Sequence, residues 1–205
     1  LDHVSFVVNP GESVALVGPT GAGKSTIVNL ISRFYNVGDG RVLIDDHDIA
    51  GVTLHSLRSQ MGIMLQDSFI FSGTIEDNIR YGKLDATAEE IARASKVVCA
   101  DEFIRNMPDG YKTQVRERGA VLSQGQKQLI SFARTLLSDP AILLLDEATS
   151  SIDVQTEKAL QKGLDALLEG RTSFIIAHRL STIKNCDKIM YVDQGRIIEC
   201  GTHEE

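Results

Sequence analysis

Cysteine is scarce in this 205-residue chain, and its placement argues against two classes of protein. The three cysteines, Cys99, Cys186 and Cys200, form an odd and scattered set without a C-x-x-C pair. A disulfide framework needs paired cysteines, and a zinc site needs closely spaced ligands. We therefore expect reduced thiols in a cytosolic protein.

Long apolar runs and an excess of positive charge are also missing. A membrane-spanning helix takes about 20 apolar residues, and the longest apolar runs here, such as 141–145, are far shorter. No signal peptide is visible either. The formal net charge of −7 argues against a surface that wraps nucleic acid, although it leaves a local basic groove open. The chain begins without Met, and we expect it to be a fragment of a longer polypeptide.

The pattern of apolar residues indicates an α/β fold. Hydrophobic residues make up 42% of the chain, which is enough to bury a core. Strand-like runs alternate with helical patterns, an order typical of a mostly parallel sheet. Helical patterns dominate 67–138, so we predict a helical subdomain inserted into a core formed by 1–66 and 139–205. Strands are predicted at 4–8, 13–18, 41–45, 61–65, 141–145, 172–177, 188–192 and 196–199, and the first helix at about 24–34.

The segment GPTGAGKST (18–26) lies between a predicted strand and a predicted helix. It matches G-x-x-x-x-G-K-[ST] in the context that a phosphate-binding P-loop requires, which disfavours the alternative of a simple glycine-rich turn. Lys24 would reach the β- and γ-phosphates of a nucleotide, and Ser25 would ligate Mg²⁺. The predicted phosphate-binding residues are Gly18, Pro19, Thr20, Gly21, Ala22, Gly23, Lys24, Ser25 and Thr26.

Polar residues follow three further predicted strands. Asp146 and Glu147 end the apolar run 141–145; beside a P-loop, Asp146 would hold Mg²⁺ and Glu147 would act as general base towards water. A solvated acidic turn is the alternative. Gln66 and His178 also follow strands, where ligands bind in open α/β sheets. Gln66 would contact Mg²⁺ or water, and His178 the nucleotide, although each residue taken alone has a structural interpretation as well.

The segment VLSQGQKQLISFARTLL (121–137) has the periodicity of an amphipathic helix with a polar start. Free N–H groups and the positive end of the helix dipole make such a start an anion-binding site. The segment begins with the polar, glycine-containing run Ser123-Gln124-Gly125-Gln126. The chain thus carries two predicted phosphate-binding helix starts.

Taken in order, these features resemble the nucleotide-binding domain of ABC transporters over essentially the whole chain. The motifs are 18–26, Gln66, LSQGQ (122–126), Asp146-Glu147, SSID (150–153) and His178. The resemblance implies an α/β P-loop NTPase fold with a mostly parallel sheet, an antiparallel β part and an inserted α-helical subdomain. It implies ATP hydrolysis with Mg²⁺, catalysed by Glu147, His178 and Gln66, with Ser25, Gln66 and Asp146 on the metal.

The resemblance also implies a head-to-tail dimer, which explains the second helix start. Ser123, Gly125 and Gln126 would bind the ATP held by the P-loop of the opposite subunit, and 150–153 would couple the two sites.

Two segments are similar to parts of exporters of this family: 66–79 to the segment that follows the glutamine, and 113–119 to the loop that precedes the signature motif. They imply that 113–119 touches coupling helices of a transmembrane domain, at the cytoplasmic face of a membrane. Apolar residues at 69–71 would suit a groove for such a helix, or else complete the subdomain core.

The sequence departs from the family pattern at several points. Gln124 stands where the signature usually has Gly, a weak hint of a non-identical partner, so homodimer and heterodimer both remain open. Gln114 stands where exporters commonly have an acid. The adenine-stacking aromatic is expected before residue 1 and a closing helix after the last residue.

Two other functions share some of these features. The first is a soluble ABC-type ATP switch acting on nucleic acid or the ribosome, which the acidic charge and the single P-loop disfavour. The second is an inactive regulatory domain, against which stand the intact Lys24, Asp146, Glu147 and His178.

Overall fold

The computed structural model describes residues 1–65, 68–116, 121–147 and 152–205. It divides into two compact units. The first contains Leu1–Leu65, Pro140–Glu147 and Gly170–Glu205, and the second contains Gln66–Asp139 and Ala148–Glu169. The predicted boundaries at 66/67 and 138/139 stay a prediction.

The first unit is built on a six-stranded sheet. Its strands are β1 (Ser13–Val17), β4 (Met61–Met64), β7 (Ile142–Asp146), β8 (Thr172–Ile176), β9 (Lys188–Asp193) and β10 (Arg196–Gly201), and a small hairpin adds β2 (Leu43–Ile44) and β3 (His47–Asp48). The sheet order is β10-β9-β1-β8-β7-β4, parallel throughout except for the β9–β10 pair. The predicted α/β class with a mostly parallel sheet and an antiparallel part is confirmed.

The first unit has central strands, β1, β7 and β8, that are apolar and buried along nearly their whole length, as in a parallel sheet covered on both faces. Its helices are α1 (Lys24–Ile31), α2 (Leu54–Arg58) and α8 (Leu180–Asn185). The core includes Val14, Leu16, Ile27, Val28, Leu144, Phe174 and Ile176. Since β1, β7 and β8 are parallel neighbours, their carboxyl ends lie at one edge of the sheet.

Two predicted strands differ in the structure. Residues 4–8 are not a strand; the carbonyl of Val7 accepts a hydrogen bond from Lys188 Nζ at 3.2 Å, and Val7 is 77% exposed. Alternating apolar residues alone do not supply the ladder partner that a strand requires. The predicted strand 41–45 shortens to β2 because Asp45 and Asp46 adopt positive φ angles of 48° and 65°, which turn the chain into β3.

The second unit is mainly helical. Its helices are α3 (Ile75–Arg80), α4 (Ala88–Val97), α5 (Asp101–Asn106), α6 (Gln124–Ser138) and α7 (Val154–Leu168), with a small ladder of β5 (Gly73–Thr74) and β6 (Gln114–Val115). Capping boxes begin α3, α4 and α6, which is why the helical periodicity starts where it does. None of the helices within the described ranges has the length and apolar character of a membrane span.

Candidate functional site

The P-loop connects β1 to α1 through glycines whose conformations other residues rarely adopt. Gly18, Gly21 and Gly23 have φ angles of 145°, 81° and 112°. A Cβ atom on Gly18 would stand 2.0 Å from the carbonyl oxygen of Val192, so the backbone itself excludes a side chain there. The loop therefore presents main-chain N–H groups without side-chain obstruction, as phosphate binding requires.

Lys24 is buried at the first position of α1, and its ammonium group faces the loop. Its Nζ donates hydrogen bonds to the carbonyl oxygens of Gly18 at 2.5 Å and Pro19 at 2.8 Å. An ammonium group carries three donors, and these bonds account for two of them. The loop is thus wrapped around a positive charge. Thr20, Gly21, Ser25 and Thr26 are exposed beside it, and Ala22 is buried.

Asp146 carries a buried oxygen atom that fits a cation. Its side chain lies at the end of β7, and among the described residues its Oδ1 has no hydrogen-bond partner. The Nε2 atom of His178 lies 3.5 Å from this Oδ1. Burial raises the pKa of Asp146, and the neighbouring His178 and Lys24 side chains oppose that rise. The buried carboxylate would be stabilised by a bound cation.

Asp146 is a carboxylate of the kind that Mg²⁺ uses as a ligand. Mg²⁺ is usually bound by one or two carboxylates together with phosphate oxygens and waters. The exposed hydroxyl of Ser25 at the P-loop is the second candidate ligand. No cluster of three His, Cys, Asp or Glu able to hold a metal occurs in the part of the chain that the structure describes.

Glu147, the predicted general base, is directed towards the chain that follows β8. Its Oε2 accepts hydrogen bonds from the backbone N–H groups of His178 at 2.8 Å and Arg179 at 2.9 Å. Its Oε1 accepts one from the Thr182 hydroxyl at 2.5 Å. Glu147 is only 2% exposed, so in this conformation its carboxylate is bound by the protein. Thr182, four residues beyond His178 in the chain, is not among the site residues predicted from the sequence.

The P-loop, Asp146, Glu147 and His178 therefore lie in the first unit, where the carboxyl ends of β1, β7 and β8 bring them together. Ser123, Gly125 and Gln126 lie in the second unit. Gln66 and Ser150–Ser151 of the SSID segment fall outside the described residues.

The start of α6 satisfies its own polar groups. Ser123 Oγ accepts a hydrogen bond from the Gln126 N–H at 3.1 Å, and Gln126 Oε1 accepts one from the Ser123 N–H at 3.0 Å. Gly125 is buried: a Cβ atom there would stand 2.3 Å from Thr156 Cγ2 on α7 and 3.3 Å from Ile152 Cγ2. The glycine thus allows α6 and α7 to approach each other closely.

The second unit also exposes a cluster of aromatic rings, here called the aromatic patch: Phe69, Phe71 and Tyr81. Phe71 lies 4.8 Å from Phe69 and 4.7 Å from Tyr81 between ring centroids, and the Arg134 guanidinium stands 5.4 Å from the Phe71 ring. Phe69 and Tyr81 are each 61% exposed, whereas the intervening Ile70 is 2% exposed and belongs to the core.

Comparison with known proteins extends this description. A sequence model of the family described as "ABC transporter" matches residues 1–150. A putative multidrug export ATP-binding/permease protein of Bacillus subtilis is 55% identical over 205 residues, which cover 100% of this chain and 35% of that protein. A fatty acid ABC transporter ATP-binding/permease protein of Mycobacterium tuberculosis is 52% identical over 202 residues, 98% of this chain and 32% of that protein.

A solved structure of a bacterial Atm1-family ABC exporter with ATP bound matches with a TM-score of 0.90 and 49% identity, covering 98% of this chain and 35% of that one. The chain spans about a third of the length of the curated relatives it matches.

Proposed function

The chain belongs to the ABC transporter family, and we propose on that premise that it binds and hydrolyses ATP as the nucleotide-binding domain of an exporter. The observation that carries the proposal is the meeting of two elements in the first unit. One is the glycine loop wrapped around Lys24, and the other is the buried carboxylate of Asp146, whose Oδ1 accepts no hydrogen bond from the described residues and has His178 Nε2 3.5 Å away. A cation-binding carboxylate beside a phosphate-binding loop suits a metal-bound nucleoside triphosphate.

Each candidate site residue of the first unit has a role in this proposal. The N–H groups of the P-loop and Lys24 bind the β- and γ-phosphates, and Ser25 and Asp146 hold Mg²⁺. When bound, Mg²⁺ neutralises charge on the phosphate oxygens. Glu147 accepts a proton from the attacking water, and His178 orients the γ-phosphate. Gln66, which follows the predicted strand 61–65, is proposed to contact Mg²⁺ or water.

We further propose that the second unit completes the site of another copy or of a homologous partner chain. Helix α6 has 15 residues, and its positive end is exposed at Ser123 and Gln124. Since Ser123 and Gln126 cap each other, the N–H groups of Gln124 and Gly125 are the ones left to meet a phosphate.

The proposed membrane partner would bind through the aromatic patch. Relatives of this chain are named ATP-binding/permease proteins, so a permease domain is the expected neighbour and the cytoplasmic face of a membrane the expected place. Exposed aromatic rings are frequent at protein interfaces. The names of the relatives favour export over the soluble ATP switch.

The test is Glu147→Gln in the full-length transporter. Removal of a general base lowers turnover by about 10²- to 10⁴-fold, so we expect phosphate release to fall at least about a hundredfold while nucleotide binding persists. Glu89→Gln, the same change at an exposed position on α4, is the matched control and should leave turnover intact.

The same variants can report dimer formation by mass in solution. With Mg-ATP, the Glu147→Gln domain extended to its natural ends should double in mass, and a further Lys24→Ala change should abolish the doubling. Unchanged turnover in Glu147→Gln would remove Glu147 from the proposed role.

A further inference from the structure

The environment of Glu147 holds more contacts than a general base needs. The groups that donate to its carboxylate, here called the Glu147 donor set, are the N–H of His178, the N–H of Arg179 and the hydroxyl of Thr182. The Arg179 guanidinium adds an ion pair, with Nε 4.0 Å from Oε1. All three donors lie within five consecutive residues at the end of β8 and the start of α8.

This arrangement leaves the carboxylate poorly placed to take a proton. Each carboxylate oxygen has about two acceptor positions, and Oε2 already accepts two N–H bonds while Oε1 accepts the Thr182 hydroxyl. A general base must come within hydrogen-bond reach of the water it activates. With 2% of Glu147 exposed, water has little access to either oxygen.

We propose that Thr182 is a positioning residue that holds Glu147 in a resting orientation, from which the carboxylate is released before it accepts a proton from water. The inference rests on the proposed function. Thr182 is 1% exposed and lies in the first turn of α8, so its hydroxyl is fixed by the helix backbone. It is the only member of the donor set that a side-chain substitution removes.

The same contacts offer a route by which nucleotide releases the base. His178 donates its N–H to Glu147, while its ring lies 3.5 Å from Asp146, the proposed metal ligand. In this proposal, a movement of the His178 ring towards a bound γ-phosphate displaces the His178 backbone and lengthens the hydrogen bond that its N–H donates to Glu147. Release of the base is thereby tied to occupation of the phosphate site.

The first test needs no nucleotide and uses Thr182→Val, which keeps the shape of the side chain and removes the donor. Hydrogen exchange of the peptide 177–183 is followed by mass spectrometry in the full-length protein. Loss of a hydrogen bond to a charged group shifts such an equilibrium about tenfold to a hundredfold, so we expect the His178 and Arg179 amides to exchange faster by about that factor. Thr182→Ser, which keeps the hydroxyl, should stay close to the wild-type rate.

Ser173→Ala is the matched control for loss of a buried hydroxyl. Ser173 is 0% exposed on β8, and within the described ranges its Oγ has no hydrogen-bond partner. Its loss should leave the 177–183 amides unchanged. If Thr182→Val fails to fold, as judged by exchange across β8, Thr182→Ala takes its place. Unchanged exchange at 177–183 in the folded variant would overturn the proposal.

The second test is turnover at saturating Mg-ATP. A weaker hold on Glu147 should raise kcat several-fold with KM unchanged, and Thr182→Ser should restore the wild-type value. A fall in kcat comparable with Glu147→Gln would mean that Thr182 holds the base in its working position, which contradicts the proposal. A wild-type protein that hydrolyses no ATP would refute the proposed function, while the exchange result would stand by itself.

Discussion

Gly125 offers a test of why the start of α6 contains glycine. The resemblance to ABC transporters assigns this residue to the ATP of a partner subunit, whereas the structure shows its missing side chain facing α7. The two explanations differ in what a methyl group at this position would meet. Gly125→Ala, alone and combined with Thr156→Ser, separates them.

The size of the effect follows from the contact distances. An alanine Cβ would stand 2.3 Å from Thr156 Cγ2, far inside an ordinary contact, and Thr156 is β-branched and fixed on α7. Overpacking of this kind costs about 1–3 kcal/mol, and the better helix propensity of alanine returns about 1 kcal/mol at most. We therefore expect Gly125→Ala to lower the free energy of unfolding by about 1–2 kcal/mol.

Thr156→Ser removes the clashing methyl. The nearest atoms to the new Cβ are then Ile152 Cγ2 at 3.3 Å and Thr156 Cβ at 3.5 Å, close to ordinary contacts. The double variant should regain most of the lost stability, which gives a coupling energy of about 1–2 kcal/mol in a double-mutant cycle. Urea denaturation of the four proteins measures it.

The same four proteins are then assayed for Mg-ATP-dependent dimerisation in the Glu147→Gln background. Because the added methyl points at α7 and not along the helix axis, the double variant should dimerise at nearly the wild-type ATP concentration. Equal stability of Gly125→Ala and the wild type would refute the packing argument. A stable double variant that cannot dimerise would show that a phosphate must approach the Gly125 Cα itself.

Two further predictions concern stability. A Cβ on Gly163 in α7 would stand 2.4 Å from the Val98 carbonyl oxygen, so Gly163→Ala should destabilise the protein by about 1–2 kcal/mol. Gly51→Ala is the control and should be neutral, because the space around Gly51 is open. Thermal melts compare the two variants, and equal melting temperatures would contradict the prediction. Asp187 accepts hydrogen bonds from the N–H and hydroxyl of Ser13, chiefly the N–H, which lower its pKa below the usual 3.8. The resulting stabilisation is present above that pH and is lost as the pH falls through the folded-state pKa, so Asp187→Asn should cost about 1 kcal/mol at most at pH 7, with a difference that vanishes once the pH is below the folded-state pKa.

The fold could be predicted where one local signal decides the structure. The apolar runs at β1, β7 and β8 are continuous because both faces of those strands are buried, so periodicity and turn residues mark them clearly. Residues 4–8 have strand periodicity but no ladder partner in the described structure. Helix α7 lies between β7 and β8 in the chain, yet it packs in the second unit, where Gly163 meets Val98. Helical periodicity indicates that a helix forms, but not which surface covers it.

The positions of the site residues could be predicted more fully than their contacts. The P-loop motif fixes a backbone conformation, in which Lys24 bonds the Gly18 carbonyl and Gly18 has no room for a side chain. The roles of these residues towards a nucleotide stay predictions. The orientation of Glu147 depends on donors 31 to 35 residues further along the chain, and no local pattern reports them. The prediction of a general base stays a prediction, and the structure adds the resting contacts that any such role must overcome.

The sequence predicts two similar phosphate-binding helix starts, but the two differ in how their N-terminal N–H groups are capped by the protein itself. At α1 the N-cap is Gly23 in a left-handed conformation with no side-chain cap, so its amides have no internal substitute for an anion. At α6 the side chains of Ser123 and Gln126 each accept a hydrogen bond from the other residue's N–H, so two of the N-terminal amides are satisfied within the helix. An uncapped start gains most when a phosphate arrives, because its free N–H groups then obtain acceptors that the helix itself does not supply. The nucleotide should therefore bind the P-loop first, and α6 should add its two remaining amides only when a second domain brings it to a phosphate already in place.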